Sequence, residues 1–73
     1  MDASPTEAAE PEADALTIGR RIRQLRTERG ITLDELATAV DQAASQLSMI
    51  ENGKREPKLT LLQAIARALG TTI

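Results

Sequence analysis

The stretch 33–52 constrains the fold of this chain more than any other part of the sequence. In 33–40 and again in 44–51, apolar residues recur at the spacing of a helix that buries one face. Only residues 41–43 separate the two segments, and a break this short predicts a tight turn. Because two such short helices cannot bury their apolar faces alone, the pattern predicts a helix-turn-helix unit supported by further helices.

Start and stop signals delimit the predicted helices. Thr17 is the predicted N-cap of the first helix, and Gly30 follows its end. Thr32 and Glu35 have the spacing of a capping box at the start of the second. The sequence therefore predicts an all-α fold, a compact bundle of four short helices at about 18–29, 33–40, 44–51 and 59–69.

The core of this bundle is predicted to be aliphatic, because the sequence contains no Phe, Tyr or Trp. Ala37 is small enough for a close crossing of the two central helices. The predicted inward side chains form one stripe on each helix: Ile18, Ile22, Leu25, Leu33, Leu36, Ala37, Val40, Leu47, Ile50, Leu59, Leu62, Ile65, Ala66 and Leu69.

Composition argues against several classes of function. The sequence has no His and no Cys, so it lacks the commonest metal ligands, general base and thiol nucleophile. We therefore predict no enzyme activity, no catalytic residue, no metal and no cofactor. The sequence also has no signal-peptide pattern and no apolar run of membrane-spanning length, which predicts a cytoplasmic protein without a membrane partner.

The third predicted helix has a small, lightly charged outward face. With its apolar stripe turned inward, the outward residues are Ala44, Ser45, Ser48 and Met49. A helix with such a face can enter the major groove of double-stranded DNA without a clash. Single-stranded nucleic acid is disfavoured, because the sequence has no aromatic ring on which a base could stack.

Three motifs carry a resemblance to a known family. Within the segment from Ile18 to Gly70 they read IRQLRTERGITLDELA, IENGKREP and LLQAIARALG. In sequence and spacing they resemble the Xre/Cro/C1-type helix-turn-helix family of bacterial and phage regulators, whose fold is lambda-repressor-like. The resemblance implies a domain that binds double-stranded DNA, with the third helix as the recognition helix in the major groove.

The resemblance also implies roles for individual residues. On the third helix, the base-reading residues would be Ala44, Ser45, Gln46, Ser48 and Met49. Phosphates would be held by Thr32, Leu33, Asn52, Lys54 and Arg55, and by Arg21 and Arg23 unless these two form only a solvated helix face. Arg26 and Glu51 match the inter-helix ion pair of the family, for which we prefer a packing role to a DNA contact.

Two positions depart from the family pattern, both in the turn before the third helix. Asp41 stands where the family usually has Gly, so a left-handed backbone there carries a cost. Ala43 replaces the usual Ser or Thr N-cap, and losing that cap costs about 1 kcal/mol. The start of the third helix, and with it the side chain that meets each base, depends on this turn.

Charge divides the chain into two parts. The net charge is −2, but residues 1–15 contain five acidic and no basic side chains, whereas the other 58 residues contain nine basic and six acidic ones, or +3. We predict that 1–15 is a disordered acidic tail and that 16–73 is the helix-turn-helix domain. The tail is expected to aid solubility; the alternative is that it competes with DNA for the basic face.

Taken together, these observations predict the sequence-specific DNA-binding domain of a bacterial-type transcriptional regulator. The alternative is a protein-interaction module, antitoxin-like or an adaptor, that uses the same helices. Family members commonly continue into a fifth helix and a dimerisation or effector-sensing domain. We therefore expect the full-length protein to be a homodimer, and this chain alone to be a monomer that binds a half-site weakly and lacks the effector-sensing domain.

Overall fold

Residues 14–71, the part of the chain that this computed structural model describes, form a bundle of four helices. They are α1 (Ala15–Glu28), α2 (Leu33–Ala39), α3 (Ala44–Glu51) and α4 (Leu59–Leu69). Both α3 and α4 pack against α1 and α2. The predicted all-α bundle is confirmed, and α3 and α4 have the predicted bounds. Within 14–71 no helix has the length and apolar character needed to span a membrane.

The start of α1 differs from the prediction. The N-cap is Asp14 rather than Thr17: Asp14 Oδ1 accepts a hydrogen bond of 2.8 Å from the backbone N–H of Thr17. The prediction had counted Asp14 and Ala15 with the acidic tail, but a carboxylate here satisfies an N–H group that the helix itself leaves unbonded. The first helix therefore begins at Ala15 rather than near residue 18, and the remainder of the predicted tail, 1–13, lies outside the described residues.

The turn between α2 and α3 depends on a left-handed residue. Asp41 has φ 58°, and the N–H of Gln42 donates to Ala37 O at 2.9 Å across the turn. Ala43 is the N-cap of α3 and provides no side-chain hydrogen bond. Both departures noted in the sequence are thus present, and α3 still begins at Ala44.

The core agrees with most of the predicted stripe. The buried hydrophobic residues are Ile22, Leu25, Leu36, Ala37, Val40, Leu47, Ile50, Ile65 and Leu69, and the predicted Ile18, Leu33 and Leu62 pack partly buried against them. Leu59 was predicted to be inward but is 68% exposed, because it lies on the first turn of α4, where no neighbouring helix covers it. Ile31, which the prediction omitted, packs against the core from the loop after α1.

α1 and α3 approach each other most closely at Gly19, which is buried. A Cβ atom added there would lie 2.7 Å from Glu51 O and 2.9 Å from Glu51 C, and closer still to Ile50 O. These are backbone atoms of α3, so they cannot move aside as a flexible side chain would. Gly19 therefore determines how deeply α3 sits against α1.

Candidate nucleic-acid interface

The exposed face of α3 consists of Ser45, Met49 and Asn52, which we call the α3 stripe. Their spacing of four and then three residues places them on one side of the helix or at its end, opposite the buried Leu47 and Ile50. Met49 is 38% exposed, as the prediction required of a base-reading residue. The stripe carries no formal charge and offers a hydroxyl, a thioether and an amide.

The other predicted base-reading residues lie on the flanks of α3 and are half-buried: Ala44, Gln46 and Ser48. Ala44 packs against the core, so it is less available than its predicted outward position implied. Gln46 faces a neighbouring groove, whereas Ser48 is bonded to the end of the helix. These three side chains therefore border the stripe rather than form it.

Asn52 closes the C-terminus of α3 with its side chain. Its Nδ2 donates to Ser48 O at 2.9 Å and lies 3.4 Å from Ser48 Oγ. Ser48 O also accepts from the backbone N–H of Asn52 at 3.0 Å, so the side chain and the backbone of Asn52 both bond to the same carbonyl at the helix end. The amide nitrogen that the sequence assigned to a phosphate is thus already bonded within α3, and its phosphate role stays a prediction.

The loop 53–58, which we call the basic loop, follows α3 directly. The loop contains three exposed basic residues, Lys54, Arg55 and Lys58. Their side chains form no hydrogen bond or ion pair in the part of the chain described. The backbone of the loop is nonetheless anchored, because Lys54 N donates to Met49 O at 2.9 Å. Three cationic side chains against the single Glu56 make the loop a positive edge beside the α3 stripe.

A groove of about 300 Å³ separates α3 from the basic loop and the first turn of α4. Its lining includes Gln42, Gln46, Arg55, Lys58 and Thr60. The prediction did not propose Gln42, Lys58 or Thr60 as binding residues, although Lys58 belongs to the basic cluster visible in the sequence. Amide, hydroxyl and cationic groups in one open groove suit a polar, anionic ligand.

The N-termini of α2 and α4 differ in what they offer an anion. At α2, Thr32 Oγ1 accepts from Glu35 N at 3.0 Å and Glu35 Oε1 accepts from Thr32 N at 2.9 Å, which is the predicted capping box. Asp34 and Glu35 add two carboxylates to this first turn. The half-buried Leu33 has only its N–H to offer a phosphate. The first turn of α4 has no acidic residue and no side-chain cap, so it favours an anion more than α2 does.

On α1, the two predicted phosphate contacts are both exposed. Arg21 Nη1 donates to Gln24 Oε1 at 3.3 Å, so its guanidinium is partly engaged along the helix. Arg23 has no partner among residues 14–71. The structure therefore leaves Arg23 the freer of the two cations.

Arg26 and Glu51 form an ion pair between α1 and α3. Arg26 Nε lies 2.7 Å from Glu51 Oε2, and Nη2 lies 3.0 Å from Oε1, so the pair is bidentate. Arg26 Nη1 also donates to Ile31 O at 2.9 Å. The Glu51 side chain is 5% exposed, and its hydrogen bonds raise the pKa of Arg26 above its already high ordinary value. This geometry joins α1, α3 and the loop before α2.

Within residues 14–71 no three His, Cys, Asp or Glu side chains are grouped as metal ligands. The polar groups beside α3 are the neutral side chains of the α3 stripe, the three cations of the basic loop and Glu56. Such an arrangement can form hydrogen bonds and attract an anion.

Comparison with known proteins supplies the context for this geometry. Residues 22–73 match a family model described as "Helix-turn-helix". The chain is 38% identical over 58 residues to the immunity repressor protein of Bacillus phage phi105. The aligned region covers 80% of this chain but 40% of that protein. This chain thus spans less than half the length of the first curated relatives that it matches.

Solved structures of two regulators are also similar to this chain. The crystal structure of the clp gene regulator ClgR from C. glutamicum superposes with a TM-score of 0.80 at 35% identity, covering 90% of this chain and 83% of that one. The master regulator for biofilm formation SinR, solved in complex with DNA, superposes with a TM-score of 0.70 at 38% identity, covering 75% of this chain and 89% of that one.

Proposed function

This chain belongs to the helix-turn-helix family, and we propose that it is the sequence-specific, double-stranded DNA-binding domain of a transcriptional regulator. The observation that carries the proposal is the uncharged α3 stripe directly beside the basic loop, whose Lys54, Arg55 and Lys58 have no partner within the described residues. Exposed cations provide salt-dependent attraction to phosphates, and a neutral helix face enters the major groove.

Each group of residues has a distinct role in this proposal. Ser45 and Met49 of the α3 stripe, with the flanking Gln46 and Ser48, lie at base edges. The basic loop, together with Arg23, holds phosphates and fixes the register of the complex. The exposed Met49 packs on a thymine methyl group, since an apolar side chain can contact that group. Lys or Arg would be needed for the usual contact with guanine, and α3 contains neither. Thr32, Leu33, Ala44, Asn52 and Arg21 stay predicted contacts.

The test of DNA binding is fluorescence anisotropy with mixed-sequence duplexes over a series of salt concentrations. Lys54→Gln and Arg55→Gln are each expected to weaken binding at every sequence and to reduce the salt slope by about 1. The matched control is Arg67→Gln, the same change of charge in the last turn of α4, which is expected to leave the slope unchanged. No binding at low salt would contradict the proposal and favour the protein-interaction module.

The test of base reading begins with duplexes selected from a random pool. Replacing thymidine by deoxyuridine removes one methyl group, so at the position under Met49 we expect about a fourfold loss of affinity. In Met49→Ala the same replacement should have no effect. If the wild-type chain is insensitive to the replacement at every thymine, Met49 does not read a methyl group.

Homodimerisation, an effector and a cytoplasmic location concern the whole protein and stay predictions. They are tested on the full-length regulator by sedimentation and by DNA binding in the presence of candidate effectors. The domain itself is proposed to bind a half-site. Its affinity per half-site is therefore expected to be the same on a duplex with one half-site as on a duplex with two.

A further inference from the structure

The acidic N-terminal segment joins the domain beside the basic loop. Residues 1–13 contain Asp2, Glu7, Glu10 and Glu12 and no Lys or Arg. The chain enters the described structure at Asp14, and two residues later Leu16 packs on Gly53, the first residue of the basic loop. A Cβ on Gly53 would lie 2.8 Å from Leu16 Cα, so the backbones of α1 and of the loop are in van der Waals contact.

This contact places opposite charges next to each other. Lys54 and Arg55 follow Gly53 directly, and both are exposed without an ion-pair partner among residues 14–71. Glu12 and Glu10 are two and four residues before Asp14. Thirteen residues span at most about 45 Å when fully extended. The segment is therefore long enough to reach the basic loop, because the start of α1 already contacts Gly53 of that loop.

We propose that the carboxylates of residues 1–13 dock on the basic loop of the same molecule and compete there with the phosphates of DNA. The proposal rests on the DNA-binding function proposed above, since it concerns the same loop. The occupant is this segment rather than a second copy, because a short tether gives it an effective concentration in the millimolar range. Opposite charge and attachment at the edge of the loop are the two features that favour docking.

Docking of this kind lowers the apparent affinity for DNA in proportion to the time the loop is occupied. Occupation for half to nine tenths of the time weakens binding by about two- to tenfold. The effect weakens as salt is added, because the Debye length falls to about 3 Å at 1 M ionic strength. The acidic segment would therefore make DNA binding less steeply salt-dependent than the loop alone would make it.

The first experiment requires no DNA. Backbone amide NMR spectra of the 73-residue chain are compared with those of the 73-residue variant that carries Asp2→Asn, Glu7→Gln, Glu10→Gln and Glu12→Gln. The expected result is shift differences at Lys54, Arg55 and Lys58 in low salt that vanish at about 0.5 M salt. The backbone amide of Lys54 reports on changes in the basic loop, since it donates a hydrogen bond to Met49 O at 2.9 Å. Amides near Arg67 should not shift.

Three results would overturn the proposal. The loop amides do not differ between the two chains; the differences lie on α1 around Arg21 and Arg23 instead; or they grow with protein concentration, which identifies a second copy as the occupant. The outcome at the loop is read without reference to DNA, so failure of DNA binding and failure of docking are separate results.

The second experiment measures DNA affinity. The variant with the four amide substitutions is expected to bind about two- to tenfold more tightly than the wild-type chain in low salt. In a chain that also carries Lys54→Gln and Arg55→Gln, the four substitutions should change affinity by less than twofold. If the variant binds DNA more tightly but the loop amides are unshifted, repulsion between the segment and DNA explains the gain, and docking is refuted.

Discussion

Replacing Gly19 by Ala tests the packing that positions α3. From helix propensity alone this substitution should stabilise α1 by about 1 kcal/mol. The structure predicts the opposite, because the added Cβ would lie 2.7 Å from Glu51 O and closer still to Ile50 O. Restoring an ordinary separation of about 3.5 Å requires α3 to move by about 1 Å.

The size of the effect follows from two opposing terms. Overpacking a well-packed contact costs about 1–3 kcal/mol, and the upper end applies where rigid backbone must move. Subtracting the gain in helix propensity leaves a net loss of about 2 kcal/mol. For a domain of this size, that loss corresponds to a decrease in Tm of about 8–16 °C.

Thermal and urea unfolding measure this loss of stability. The pair Arg23→Ala and Arg23→Gly, at an exposed position of the same helix, supplies the propensity difference without any steric term. If Gly19→Ala melts at or above the wild-type temperature, helix propensity decides the outcome and the α1–α3 contact leaves room for a methyl group. A destabilised Gly19→Ala that binds DNA with unchanged specificity would separate the packing of α3 from its function.

Three further substitutions probe single interactions. Glu51→Ala leaves the guanidinium of Arg26 unpaired between two helices and should cost about 3–5 kcal/mol in urea unfolding, whereas an unchanged midpoint would refute the role of the pair. Ala43→Ser supplies the missing N-cap of α3 and should raise stability by about 1 kcal/mol, unless its hydroxyl fails to reach the helix N–H groups. Hydrogen bonds from Thr17 lower the pKa of Asp14 below its ordinary 3.8, so the unfolded chain binds more protons in acid and stability falls as the pH drops below about 4. Asp14→Asn, which keeps an acceptor but does not titrate, should show a smaller fall in an acid titration monitored by circular dichroism.

Structural features that depend on three or four consecutive residues could be predicted from the sequence. The capping box at Thr32 and Glu35, the left-handed Asp41 and the bounds of α3 and α4 are all present in the structure. Each depends on hydrogen bonds or backbone preferences within one turn of helix, which the local sequence specifies. The amide of Asn52, which the sequence analysis assigned to a phosphate, closes the end of α3 in the structure.

The N-cap of α1 was not predicted, because Asp14 lies within an acidic stretch of the sequence. Asp14 lies in an acidic stretch and was counted with the tail, although it is the N-cap of α1. Its carboxylate accepts from the N–H three residues on, which is the usual N-cap geometry. For this reason the predicted start of the first helix, residue 18, lies three residues after the observed start at Ala15.

For the candidate interface, the sequence supplied the residue types and the structure supplied their grouping. The uncharged α3 face and the basic residues after it follow from the order of residues, whereas the expected pairing of Arg26 with Glu51 came from the resemblance to the family. That Gln42, Lys58 and Thr60 share one groove with Gln46 depends on how α4 turns back beside α3. Residues distant in sequence come together only when the helices pack, and periodicity within one helix contains no information on its neighbours.

The sequence by itself determined four helices, the capping box of α2 and most of the apolar stripe that each helix buries, because these depend on hydrogen bonds and spacing within each segment. Tertiary structure alone decided the exposure of Leu59, the close crossing at Gly19 and the contact of Leu16 with Gly53. The physical reason is that burial and close approach depend on where the neighbouring helices end and how deeply they pack. Those contacts determine which face of α3 is open and place the start of α1 beside the basic loop.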